Sequence, residues 1–176
     1  MRIWLLFILS ISLSGCGYVS SAGLDRLDSV SPLEAEPADI AVALALPPGL
    51  DVVPGSAQIN FSADRSDTRE KETAVFTLAR NDTGNLNVFT IAPEDHDRLR
   101  ELQGRIQKWE DEAPDRTSGS IGVTVDFCKK DPGPAPTAKV TVLTRTESDG
   151  KFFSLIENAP LSVIQRSGAL GDINLC

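Results

Sequence analysis

Apolar and polar residues alternate with a period of two along much of this chain, and that pattern restricts it to a sheet-based fold. The alternation is clearest in Ile40, Val42, Leu44 and Leu46, and again in Ile121, Val123, Val125 and Phe127. A period of two sends every second side chain to one face, so each run predicts a half-buried strand. Further runs cover 57–63, 73–80, 86–92, 138–146, 151–157 and 161–165. Turn-forming clusters separate them: Pro47-Pro48-Gly49, Asn81-Asp82-Thr83-Gly84, Asp131-Pro132-Gly133-Pro134, Asp149-Gly150 and Asn158-Ala159-Pro160. About eight short antiparallel strands with turns at this spacing predict a mainly β domain over residues 38–176, expected as a β-sandwich.

One segment breaks the alternation. From about residue 93 to 112, Leu99, Leu102, Ile106 and Trp109 recur at three- and four-residue spacing, which gathers them on one stripe of a helix. Pro93 suits the first turn, and Glu94 and Asp95 favour its positive end. Glu94 with Arg98, and Glu101 with Arg105, are spaced to pair on the outer surface. The stripe needs cover and is expected to pack on the sheet. The flanks of this helix also resemble each other: Ile40-Ala41-Val42, Pro48-Gly49 and Ala57-Gln58-Ile59 are echoed by Ile121-Gly122-Val123, Pro132-Gly133 and Ala138-Lys139-Val140. A second reading of the domain is therefore two four-strand halves, 38–92 and 118–166.

The N-terminus follows the plan of a secretory signal, with Arg2 ahead of an apolar run from Ile3 to Leu13. That run is too short to span a bilayer, which takes about 20 apolar residues. It ends in Leu13-Ser14-Gly15-Cys16, which resembles the lipobox of bacterial lipoproteins at all four positions. The resemblance covers residues 1 to 16. It implies removal of residues 1–15, a diacylglycerol thioether on Cys16, usually with further acylation of its amine, and membrane attachment through that lipid. Gly17 in place of Asp implies an outer-membrane destination facing the periplasm, the alternatives being the inner membrane or the cell surface. Residues 16–37, rich in Ser, Gly, Pro and acids, read as a flexible tether with a reach of roughly 25 Å.

With the sulfur of Cys16 committed to lipid, Cys128 and Cys176 are left as a pair in an oxidising compartment, and they are expected to form a disulfide that pins the terminus. The chain carries 17 Lys and Arg against 25 Asp and Glu, and loss of residues 1–15 removes only one of those cations. No stretch clusters Lys and Arg, so a nucleic-acid partner is not expected.

Catalytic and metal signatures are not recognised. His96 is the only histidine, and its neighbours Asp95 and Asp97 diverge from it around a helical turn, so neither a zinc site nor a triad is assembled. Asp64, Asp67, Glu70 and Glu72 are interleaved with Arg65, Arg69 and Lys71, which describes a charged hairpin or protected strand edge better than a calcium site. Phe61, Phe76, Phe89, Phe127, Phe152 and Phe153 fall in strands and read as core. No cofactor is expected. The reading is a lipid-anchored envelope lipoprotein whose non-catalytic β domain binds or assembles an envelope partner. The alternative is a periplasmic hydrolase acting on cell-wall or sugar substrates, since convergence of two carboxylates is set by the fold. Leu46-Pro47-Pro48 after a strand and Asp149-Gly150-Lys151-Phe152 in a hairpin resemble small assembly lipoproteins of the pilotin type, through motifs common in β proteins. The oligomeric state is left open.

Overall fold

The computed structural model describes residues 18–29, 33–81, 84–147, 150–166 and 173–176. The lipobox and Cys16, together with Asp82-Thr83 and Asp149 of the expected turns, lie outside them. Nine strands are present among the described residues: β1 (Ala41–Ala45), β2 (Leu50–Val52), β3 (Gln58–Arg65), β4 (Glu70–Arg80), β5 (Asn87–Ile91), β6 (Thr117–Thr124), β7 (Phe127–Lys129), β8 (Lys139–Arg145) and β9 (Phe153–Pro160). Three helices accompany them, α1 (Ser21–Ser29), α2 (His96–Glu112) and α3 (Leu161–Arg166). The protein is mainly β with one long inserted helix, as the alternation and the single stripe indicate.

Seven strands form one antiparallel sheet in the order β6-β3-β4-β5-β1-β8-β9, and β2 pairs with β7 in a separate ribbon. The even residues of β1 and β4 and the odd residues of β3 and β5 face inward: Val42 and Leu44, Phe76 and Leu78, Ile59 and Phe61, Phe89 and Ile91 are all buried. Against them lies the α2 stripe of Leu99, Leu102, Ile106 and Trp109, so the helix is covered by the protein's own sheet. Phe61 and Phe76 meet edge-on with centroids 5.9 Å apart. Between β5 and β8, β1 is buried on both faces, and its alanines Ala41 and Ala43 have no exposed surface because Val88, Leu143 and Phe152 close over them. Small side chains there let neighbouring strands carry the bulk.

The strand pairings repeat between the two halves of the chain. β1 pairs with β8 and β6 with β3, while β2 pairs with β7 about their own midpoints, Asp51 opposite Cys128. The β3–β4 and β8–β9 hairpins end alike, with Leu78 N–H donating to the Ala57 carbonyl at 2.8 Å and Leu161 N–H to that of Ala138 at 3.0 Å. Ala57 and Ala138 thus accept equivalent hydrogen bonds at the ends of the two hairpins. Ile40–Val42 and Ile121–Val123 lie at matching strands but differ in register and burial: Val42 lies opposite Thr144 and is buried, Val123 lies opposite Ile59 and is exposed. The two Pro-Gly turns touch, since a side chain at Gly49, whose φ is +82°, would stand 2.5 Å from the Gly133 carbonyl.

Several local expectations are corrected. The run 161–165 is helix, because Pro160 cannot donate to the ladder and ends β9. Asn158-Ala159-Pro160 is a bulged stretch of β9, not a turn: Asn158 has φ of +50° and its N–H bonds the Thr141 hydroxyl. The expected strand through Phe127 divides after Thr124 into β6 and β7. Arg98 pairs with Asp95 at 3.2 Å, and Arg105 reaches Glu72 of β4 at 2.9 Å, so these arginines tie α2 to its own cap and to the sheet in place of the expected partners four residues away.

The segment read as a tether is ordered against the domain over much of its length. Tyr18–Ser20 runs antiparallel to β9, with Val19 opposite Ile156, and α1 follows. Pro37 and Ala35 are buried, Gln103 donates to the Ala35 carbonyl at 2.8 Å, and Arg100 pairs with Glu36 at 2.8 Å. Polar composition concealed a few apolar anchors (Leu27, Leu33, Ala35 and Pro37) that suffice to dock it.

Candidate functional site

The two ends of the seven-stranded sheet, β6 and β9, curl toward one another, and side chains of both line the same apolar cavity of about 110 Å³. Ile121 and Val123 reach it from β6, Leu155 from β9, Ile40, Phe61 and Val142 from the strands between, and Leu27 from α1. The two edges are finished differently.

On β9, the edge is covered by Tyr18–Ser20 and α1. Ser20 N–H donates to the Leu155 carbonyl and Glu157 N–H to that of Tyr18, both at 2.9 Å, and α1 then crosses the cavity mouth. The helix approaches closely because Gly23 lies against the backbone of Ser154. Ser20 Oγ accepts from Gly23 N–H at 3.1 Å and so caps the first turn, while Arg26 lies over the ring of Phe153 at 4.9 Å.

On β6, one side is laddered to β3 from Thr117 to Thr124, and no described strand pairs with the other. In the repeated pairing pattern β6 occupies the place of β1, but β1 has β5 as its second neighbour and β6 has none among the described residues. Natural edges carry charge, proline or bulges that discourage pairing. Thr117–Thr124 carries none of these, although 24% of the chain is charged. Ile121 and Val123 remain 38% and 37% exposed, where the alternation predicts half-burial. The physical reason is the missing neighbour: inward side chains at an open seam are covered from one side only.

A second cluster sits at the ribbon. Asp51 accepts from Arg80 Nη1 at 2.8 Å, from Lys130 Nζ at 2.5 Å and from Val52 N–H at 2.8 Å, and Arg80 also bonds Asn87. Partial burial works to raise the Asp51 carboxyl, but the hydrogen bonds from Lys130, Val52 and Arg80 outweigh it and lower the pKa from 3.8 to about 2. The carboxylate is held ionised as a clamp between β2, the end of β4 and the β7 turn. Cys128, opposite Asp51 in the ribbon, is bonded to Cys176 with a Cα–Cα distance of 4.8 Å. The last residues run parallel beside β7, with Lys129 N–H donating to the Asn174 carbonyl and Cys176 N–H to that of Lys129.

The remaining sequence candidates are placed as follows. His96 Nε2 lies 3.1 Å from the Ile91 carbonyl, so the imidazole fastens α2 to β5. Asp64 pairs with Lys71 at 2.7 Å, and Arg65 with Asp67 at 3.0 Å, at the β3–β4 hairpin. Among the described residues no group of three or more His, Cys, Asp and Glu gathers as metal ligands, and no helix is long and apolar enough to cross a membrane. Phe61, Phe76 and Phe89 are buried; Phe127, Phe152 and Phe153 are half-buried. The open β6 edge was missed by the sequence reading. Its available signal was an eight-residue strand with no charge in an otherwise charged chain. Comparison with protein-family models, with curated proteins and with solved structures finds no match for this chain.

Proposed function

We propose that this chain is a bacterial envelope lipoprotein, acylated on Cys16, whose β domain works by binding and without a catalytic centre. It takes an extended segment of an envelope partner along β6. The observation that supports this reading is the uncharged β6 edge, open at the position that β5 fills in the other half of the fold. An added strand gains main-chain hydrogen bonds from the edge, and Ile121 and Val123 offer it apolar side-chain contacts.

Two variants of the full precursor, expressed in a bacterial envelope, test the two parts separately. Cys16→Ser is expected to abolish acylation and release the domain from sedimenting membranes or leave it unprocessed; unchanged partition and processing rejects the anchor. A photoreactive residue at Ser120 is expected to give one discrete adduct that Val123→Lys removes. Absence of any adduct at Ser120 from a folded, exported protein rejects the edge as a binding site.

A further inference from the structure

The first described residues are both fixed to the domain and apolar on the outside. Tyr18, Val19 and Leu24 are 38%, 46% and 45% exposed. Yet the backbone around them is bonded to β9, and α1 is seated on that strand through Gly23. An amphipathic helix normally buries its leucines; here Leu27 turns into the cavity and Leu24, three residues earlier, stays outside. Arg26, Arg145 and Lys151 border a shallow depression beside the helix together with Glu147, and α1 itself carries Asp25 and Asp28 besides Arg26. The neighbourhood thus combines three cations and as many acids with apolar side chains, on a protein whose net charge is −8.

Chain length decides what lies against this face. Cys16 precedes Tyr18 by two residues, and two residues of extended chain reach about 7 Å. The lipid-anchor reading, on which this inference rests, therefore leaves no length for the domain to stand away from the lipid. We infer that the domain is seated on the bilayer surface itself. α1 and the adjoining end of β9 lie in the headgroup layer, with Tyr18, Val19 and Leu24 at the acyl boundary and Arg26, Arg145 and Lys151 toward the lipid phosphates. Tyrosine suits such a boundary because its ring is apolar and its hydroxyl is wet. Amphipathic helices lie in the same plane with their apolar residues toward the acyl chains.

The test uses the full precursor, processed and acylated in cells, reconstituted into phosphatidylethanolamine–phosphatidylglycerol vesicles with brominated acyl chains. The sequence has two tryptophans, Trp4 in the segment to be removed and Trp109 in the core, so the mature protein carries one internal reference. In the Leu24→Trp variant the added emission is expected to fall by about half, because an interfacial helix places its apolar residues about 5–10 Å into the boundary. Emission of the unsubstituted protein, and of Val75→Trp on the exposed face of β4, should not fall. A Leu24→Trp protein that floats with the vesicles but is quenched no more than the unsubstituted protein overturns the seating. Equal quenching at Val75→Trp overturns it as well, because it would mean that no one face is preferred. A protein that fails to float removes the lipid anchor itself, and the seating with it.

Discussion

A side chain at Gly23 would stand 1.9 Å from the carbonyl oxygen of Ser154, so α1 reaches β9 only because that residue has none. Gly23→Ala is therefore expected to lift α1 and the preceding bridge from β9. Little core is lost, since the helix contributes one inward leucine. The melting temperature should fall by a few degrees, in line with about 1 kcal/mol. Hydrogen exchange at the Ser20 and Glu157 amides, which bond across this junction, should accelerate well beyond the global change. Unchanged exchange at both amides would show that the helix is not held there.

Trp109 is 9% exposed and closes the α2 stripe against the sheet. Trp109→Ala leaves a cavity that backbone relaxation fills only in part, at a cost of about 3 to 5 kcal/mol. Thermal or urea unfolding of the isolated domain measures it. A melt within a degree or two of the parent would mean that the stripe is covered by something other than the sheet.

The Asp51 clamp gives the fold an acid limit. Its carboxyl titrates near 3.8 when unfolded and at about 2 when folded, so the folded state prefers the ionised form. That contribution is fully present above pH 4 and is lost as the pH falls through about 2, and it amounts to at most about 2 kcal/mol. In Asp51→Asn the native protein should be weaker at neutral pH, and the loss of stability between pH 4 and 2.5 should be smaller. Equal acid sensitivity of the two proteins in urea titrations would refute the clamp.

Cys128 and Cys176 close a loop across a sequence separation of 48. Opening it restores unfolded-chain entropy worth about 4 kcal/mol on the chain-entropy estimate. Protein taken from an oxidising compartment should bind no thiol reagent until reduced, as read by intact mass, and reduction should lower the melting temperature. Two thiols that alkylate without reduction would exclude the bridge.

The inner architecture was legible because it depends on local period. Alternation marked most of the long strands, three- and four-residue spacing marked α2, and Pro160 marks in hindsight why the run after it cannot continue the sheet. Less was legible where neighbours decide. Ile121 and Val123 alternate as cleanly as Val42 and Leu44, yet the first pair is exposed and the second buried, because among the described residues β6 has no second neighbour such as β1 has in β5. β2 spans only Leu50–Val52, too short to show a period. The seating of residues 18–29 and 33–37 depends on a missing side chain at Gly23 and on a carbonyl at Ala35, and polar composition reveals neither.

The pairing of Val19 with Ile156 sets an order of events. Tyr18–Ser20 is synthesised long before β9, and β1 must likewise wait for β8. Contacts so distant along the chain close late and slowly. The sheet therefore stays incomplete until β8 and β9 are present, and Tyr18–Ser20, among the earliest of the described residues, completes one edge only at the end.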